Sequence, residues 1–148
     1  MPDKRLTLEL VTPEKVAWSA PADFVALPAV EGEMGVLPGH MSFLAQLAEG
    51  EVRVTDGEQV KRFAISGGFV EIKDDVVSLF AETAELADQI NAERAHQALE
   101  RAKAEVAKPG LDPMVLAEIE ASMRRNRVRL NVARRGKGAL SPDPREHE

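Results

Sequence analysis

Along the first half of the chain, apolar residues recur at every second position. In "RLTLEL" (5–10), Leu6, Leu8 and Leu10 alternate with Arg5, Thr7 and Glu9, which predicts a strand with one buried face. "ADFVALPAV" (22–30) is more uniformly apolar, as a strand held between two layers would be. "GEVRVTDGEQVKRFAIS" (50–66) predicts a hairpin. Asp56-Gly57 supplies its positive-φ turn, with Val52 and Val54 before it and Val60, Phe63 and Ile65 after it. "GGFVEIKDDVVSLFAE" (67–82) predicts a second hairpin, turning at Asp74-Asp75. Pro13, Pro21, Pro28 and Pro38 suit strand ends and loops. Short strands with turn residues roughly every 8–12 positions predict an antiparallel β-sandwich or barrel over residues 1–86.

Near residue 86 the period changes. "DQINAERAHQALERAKAEVAKPG" (88–110) places Ala95, Leu99, Ala102 and Val106 on one narrow helical stripe, with Asp88 as a cap at its start and Pro109-Gly110 as its end. A second helix starts with Asp112 as N-cap and Pro113 in its first turn. Its stripe is Leu116, Ile119, Met123 and Leu130, which Asn126 and Arg127 are expected to break. The two helices predict an antiparallel hairpin over 87–135. Its alanine-rich seam buries little area, at roughly 25 cal/mol per Å², so the pair is expected to rearrange more readily than the β core. "GKGALSPDPREHE" (136–148) has no periodicity and is expected to be a disordered tail. The fold class expected is α+β: a β-sandwich followed by a helical hairpin.

Composition narrows the chemistry. No window approaches the eighteen or so apolar residues that span a bilayer, and the start lacks a secretory pattern, so a cytosolic or membrane-peripheral location is expected. With no cysteine, disulfides, thiolate nucleophiles and zinc–thiolate sites drop out. His40, His96 and His147 lie far apart, without ligand spacing, and no metal is expected. The net charge of −6 hides an asymmetry. Residues 1–86 carry 7 basic and 15 acidic side chains, residues 87–148 carry 12 and 10, and 124–137 hold seven basic residues with no acidic one.

Candidate catalytic residues do not assemble. Ser66 in "AISGGFVEI" lacks the glycine two positions earlier that a nucleophile elbow needs, and it reads as a tight corner. The loop "EGEMGVLPGHMSFL" (31–44) has the glycines of a phosphate loop but offers Glu31 and Glu33 and no basic residue, and no helical pattern follows it. His40 has neither nucleophile nor orienting carboxylate nearby in sequence. Glu93, Glu100 and Glu105 fit a solvated, ion-paired helix face. The arginine run would repel itself unless an acidic surface meets it. Nucleic acid fits less well, because no aromatics interleave and the first half is strongly acidic. A nucleic-acid or polyanion-binding adaptor using this run is the alternative reading.

"LELVTPEKVAWS" (8–19), "GEMGVLPGHMSFLAQLAEG" (32–50), "FAISGGFVEI" (63–72) and "DQINAERAHQALERAKA" (88–104), in this order and spacing, resemble the epsilon-subunit family of F-type ATP synthases. One departure is His40-Met41-Ser42-Phe43, where the family usually has His-Ala-Pro-Leu. The resemblance implies a ten-stranded sandwich, a helical hairpin and no enzymatic activity. It implies a central-stalk rotor component that binds the gamma subunit and the c-ring and couples c-ring rotation to the catalytic head. It would be peripheral on the cytoplasmic face of the bacterial inner membrane, held there only through the complex. Glu33 and His40 fall on the family's c-ring contact positions. Arg124, Arg125, Arg127 and Arg129 would meet acidic residues of the beta subunits in the alpha–beta head and restrain ATP hydrolysis. No cofactor is required. ATP is a candidate regulatory ligand at Ile90, Asn91, Arg94, Ala95 and Arg101, although Asn91 stands where that motif has aspartate and so lacks its charge.

Overall fold

The computed structural model describes residues 5–40 and 42–139. Met41 and residues 140–148, including most of the expected tail, lie outside the described residues. Two compact units divide between Leu86 and Ala87.

The first unit is a ten-stranded sheet: β1 (Leu6–Thr12), β2 (Lys15–Ala22), β3 (Phe24–Ala29), β4 (Gly32–Val36), β5 (Phe43–Leu47), β6 (Gly50–Asp56), β7 (Gln59–Ile65), β8 (Gly68–Lys73), β9 (Val76–Ala81) and β10 (Ala84–Leu86). The strand order is β10-β7-β6-β3-β5-β8-β9-β1-β2, with β4 paired to β3 alone. β3 and β5 share a single register pair, Ala29 with Leu47, and at this joint the sheet divides into two halves. One ladder departs from the expected antiparallel pattern, since β1 and β9 run parallel.

The alternation works as expected. Leu6, Leu8, Leu10, Val25, Leu27, Val52, Val54, Val70, Ile72, Val77 and Leu79 are all buried in one core drawn from both halves. Trp18 of β2, partly buried, packs against this core and meets Phe63 of β7 edge to face at 5.1 Å. Removing any of the larger side chains would cost about 2–5 kcal/mol.

The second hairpin turn lies where the sequence puts it, at Asp74-Asp75. The first falls one residue later than expected, at Gly57-Glu58, with Asp56 still in β6 opposite Gln59. The two differ in kind. Gly57 takes φ +64° at the first turn position, while Asp74 and Asp75 take +51° and +64° without any glycine. An ion-paired clasp ties the first turn to the start of β1. Arg5 reaches Asp23 at 3.1 Å and also Asp56, while Asp23 accepts the Gly57 N–H at 2.6 Å. The Arg5 guanidinium is held above its ordinary pKa first by the Asp56 hydrogen bond; desolvation opposes this and Asp23 adds to it.

The second unit holds a short 3₁₀ turn (Ala87–Gln89), α1 (Ala92–Val106) and α2 (Pro113–Ala139). Asp88 is not the cap. It sits in the 3₁₀ turn, and the N-cap of α1 is Asn91, whose side-chain oxygen accepts the Arg94 N–H at 3.0 Å. Asp112 caps α2 as expected, accepting the Met114 N–H at 2.8 Å. Ala95, Leu99 and Leu130 are the buried seam, with Ala92 and Met123 packed beside them.

Two readings of α2 need correction. Asn126 continues the stripe instead of breaking it, being 7% exposed at heptad spacing between Met123 and Leu130. Its amide satisfies itself locally, donating to the Ser122 carbonyl at 2.9 Å and accepting from the Arg129 guanidinium at 3.3 Å. The helix also runs on through 136–139, part of the expected tail. A Cβ at Gly136 would lie 2.4 Å from Ala87 Cβ, so this helix-breaking residue is the one that admits close contact with the 3₁₀ turn.

A buried amide in so thin an apolar seam is its weak point. Asn126→Leu is therefore expected to stabilise the helix pair by about 1–2 kcal/mol, read as slower amide exchange along α1; unchanged or faster exchange would refute this.

Candidate protein-interaction surfaces

β4, which pairs only with β3, and the loop after it form one candidate surface. Glu33 lies in β4 with its carboxylate mostly exposed, 3.8 Å from Arg53 on β6. An open groove of about 480 Å³ runs between the β3–β4 hairpin and β5, lined among others by Val30, Glu31, Glu33, Met34, Phe43 and Leu44. His40 follows β4, and its ring stands edge-on to Phe43 at 6.0 Å between centroids. Its backbone N–H closes a turn onto the Leu37 carbonyl at 3.2 Å. Phe43 thus lines the groove beside Glu33 and also touches His40, which links the two sequence-predicted residues. Val30, Leu37, Phe43 and Leu44 are all exposed here.

A second surface was missed in the sequence. The registers place Phe69 opposite Phe80, Phe80 beside Val11, and Val11 opposite Val16, a row across β8, β9, β1 and β2. Phe69 is 54% exposed, Phe80 43% and Val16 59%. Their strand neighbours Val70 and Leu79 fill the core, so parity alone turns the two phenylalanines outward. That parity was the available signal. A shallow apolar depression of about 320 Å³ forms around Val11, Pro13, Phe69 and Phe80.

Gly68 makes this row possible. A Cβ there would lie 1.9 Å from the Phe80 carbonyl oxygen, so only glycine lets β8 and β9 approach so closely beside the pair. Ser66 sits at the corner between β7 and β8, its Oγ accepting the Thr83 N–H at 3.0 Å.

On α2, Arg124, Arg125 and Arg127 are exposed and spaced around the helix, while Arg129 is half-buried on Asn126. The five residues of the candidate ATP motif, just before and within α1, separate by environment. Ile90 and Ala95 are buried and Asn91 is the cap, whereas Arg94 and Arg101 lie exposed seven residues apart on one face. Among the described residues no cluster of His, Cys, Asp or Glu could hold a metal ion. Nor is any described helix long and apolar enough to cross a membrane.

Comparison with known proteins bears on these surfaces. Residues 5–87 match the family described as "ATP synthase, Delta/Epsilon chain, beta-sandwich domain", and residues 88–134 match its "long alpha-helix domain". The chain is 40% identical over 129 residues to an ATP synthase epsilon chain of Dehalococcoides mccartyi, covering 87% of this chain and 92% of that one. It is also 40% identical over 130 residues to one from Halalkalibacterium halodurans, covering 88% and 98%. Its structure resembles a chain of the Euglena gracilis mitochondrial ATP synthase OSCP/F1/c-ring assembly, with TM-score 0.74 and 29% identity over 93% of this chain and 82% of that one. The fold also resembles that of a chain in the Tetrahymena thermophila central stalk and c-ring, with TM-score 0.59 and 15% identity, over 86% and 96%. These likenesses give no support to the polyanion-adaptor reading of the arginine run.

Proposed function

The chain belongs to the ATP synthase delta/epsilon chain family, whose epsilon chains are non-catalytic stalk subunits, and we propose that it couples rotation of a c-ring to the catalytic head of a proton-translocating synthase. The observation that carries this reading is the outward row of Phe69, Phe80, Val11 and Val16, since apolar residues held contiguously in water mark a docking surface. Being flat and apolar, the row suits a permanent partner, and we assign it to the gamma subunit. The β4 end, with Glu33, His40 and polar backbone, suits the polar loops of the ring. Association with the cytoplasmic face of a bacterial inner membrane would then come through the complex alone.

The basic part of α2 supports a second role. Arg124, Arg125 and Arg127 are exposed on this helix, a basic face complementary to acidic segments of the beta subunits, and its docking there would restrain ATP hydrolysis. ATP is proposed as a regulatory ligand held by Arg94 and Arg101, with Asn91 already committed to capping α1.

Affinity capture of the tagged chain from detergent-solubilised membranes, with nuclease as control, tests the main reading. Gamma, alpha, beta and c subunits are expected with the native chain, and Phe69→Glu with Phe80→Glu should reduce their recovery about tenfold or more without unfolding the chain. Capture without any synthase subunit would sink the assignment. Replacing Arg124, Arg125 and Arg127 by alanine should raise ATP hydrolysis by the assembled synthase about twofold or more; no rise would remove the inhibitory role. Isothermal titration with millimolar ATP should give heat that the pair Arg94→Ala and Arg101→Ala abolishes, and no heat with the native chain would dispose of the ligand.

A further inference from the structure

Three segments meet at Asp75. It is the second residue of the two-residue turn between β8 and β9, at φ +64°. Its carbonyl accepts the N–H of Thr7 in β1 at 2.8 Å. Its carboxylate accepts the N–H of Gly39 at 2.7 Å, 36 residues away in the loop that follows β4. Gly39 itself lies at φ +87°, and the next residue is His40.

The choice of aspartate is informative. The turn conformation is served best by glycine or asparagine, and aspartate tolerates it less well than glycine. Glycine, however, would supply the backbone shape with no acceptor for Gly39. Among side chains that tolerate a left-handed φ, only aspartate and asparagine also place an oxygen so close to their own backbone. A carboxylate accepting a backbone N–H is the stronger of the two, and 2.7 Å is the length of a charge-assisted bond.

We propose that Asp75 is a positioning residue for the β4 contact end: its carboxylate fixes the backbone just before His40, and so presents Leu37 and His40 in one arrangement. This rests on the reading that this end docks onto the ring. The bond lies at the surface, where such a bond is enough to change the population of a loop several-fold. A loop already ordered loses less freedom when it docks, which is how a distant carboxylate can alter a contact it does not touch.

Two variants separate the carboxylate from the turn. Asp75→Gly keeps the left-handed turn and removes the acceptor, while Asp75→Asn keeps both the turn and an oxygen. In the full chain, Asp75→Gly is expected to speed amide exchange at Gly39 about three- to tenfold with no fall in thermal midpoint, and Asp75→Asn to stay within about twofold. In the reconstituted synthase, protons pumped per ATP hydrolysed should fall with Asp75→Gly and recover with Asp75→Asn. Unchanged Gly39 exchange in Asp75→Gly would overturn the inference, as would unchanged pumping when His40→Ala lowers it. If His40→Ala and Glu33→Gln also leave pumping unchanged while Gly39 exchange responds, the ring-contact reading is what fails, and the positioning role goes with it.

Discussion

Strand parity is the constraint from which the rest of the β unit follows. A strand that turns Leu6, Leu8 and Leu10 inward must turn Thr7, Glu9 and Val11 the other way. The core closes only because both halves of the sheet send their buried positions to the same side of the fold, with partly buried Trp18 packed against Phe63. The register is therefore strongly specified, since a slip of one residue would exchange the two faces. The outward phenylalanines are fixed by the same rule. Phe69 and Phe80 cannot turn inward without expelling Val70 and Leu79. A cost in exposed apolar area is thus built into the fold, which is the reason to read it as a surface made for a partner.

The helical unit is built on a weaker principle. Its seam depends on alanines, one leucine from each helix and a buried asparagine. Each alanine removes little surface from water, and the asparagine must satisfy its amide within its own helix turn. Good intrinsic propensity and real caps, Asn91 and Asp112, hold each helix independently of that seam. Individually sound helices with a modest interface suit a device whose helices part without unfolding.

Charge is arranged to the same end. Acidic residues near β4 and the loop after it have specific partners, Arg53 for Glu33 and the Gly39 N–H for Asp75. On α2, Arg129 leans on Asn126, while the side chains of Arg124, Arg125 and Arg127 are exposed. The first set shapes a surface. The second places three basic side chains at the helix surface.

Much of this was legible in the chain itself. Alternation at Leu6, Leu8 and Leu10 and a helical stripe from Ala95 to Ala102 are local patterns, imposed by the two backbone periods, so they determined the order of elements and the α+β class. Glu33 and His40 were singled out by the resemblance to the epsilon-subunit family, on whose c-ring contact positions they fall. The parallel pairing of β1 with β9 and the row from Phe69 to Val16 depend on which strands become neighbours, and no window of sequence encodes that. The cap passed from Asp88 to Asn91 because the chain first makes a 3₁₀ turn, and the close approach of Gly136 to Ala87 pairs residues 49 apart in sequence. The bond from Asp75 to Gly39 joins residues 36 apart. Local periodicity decides what each segment is, whereas contacts between distant segments exist only after the chain has closed on its core.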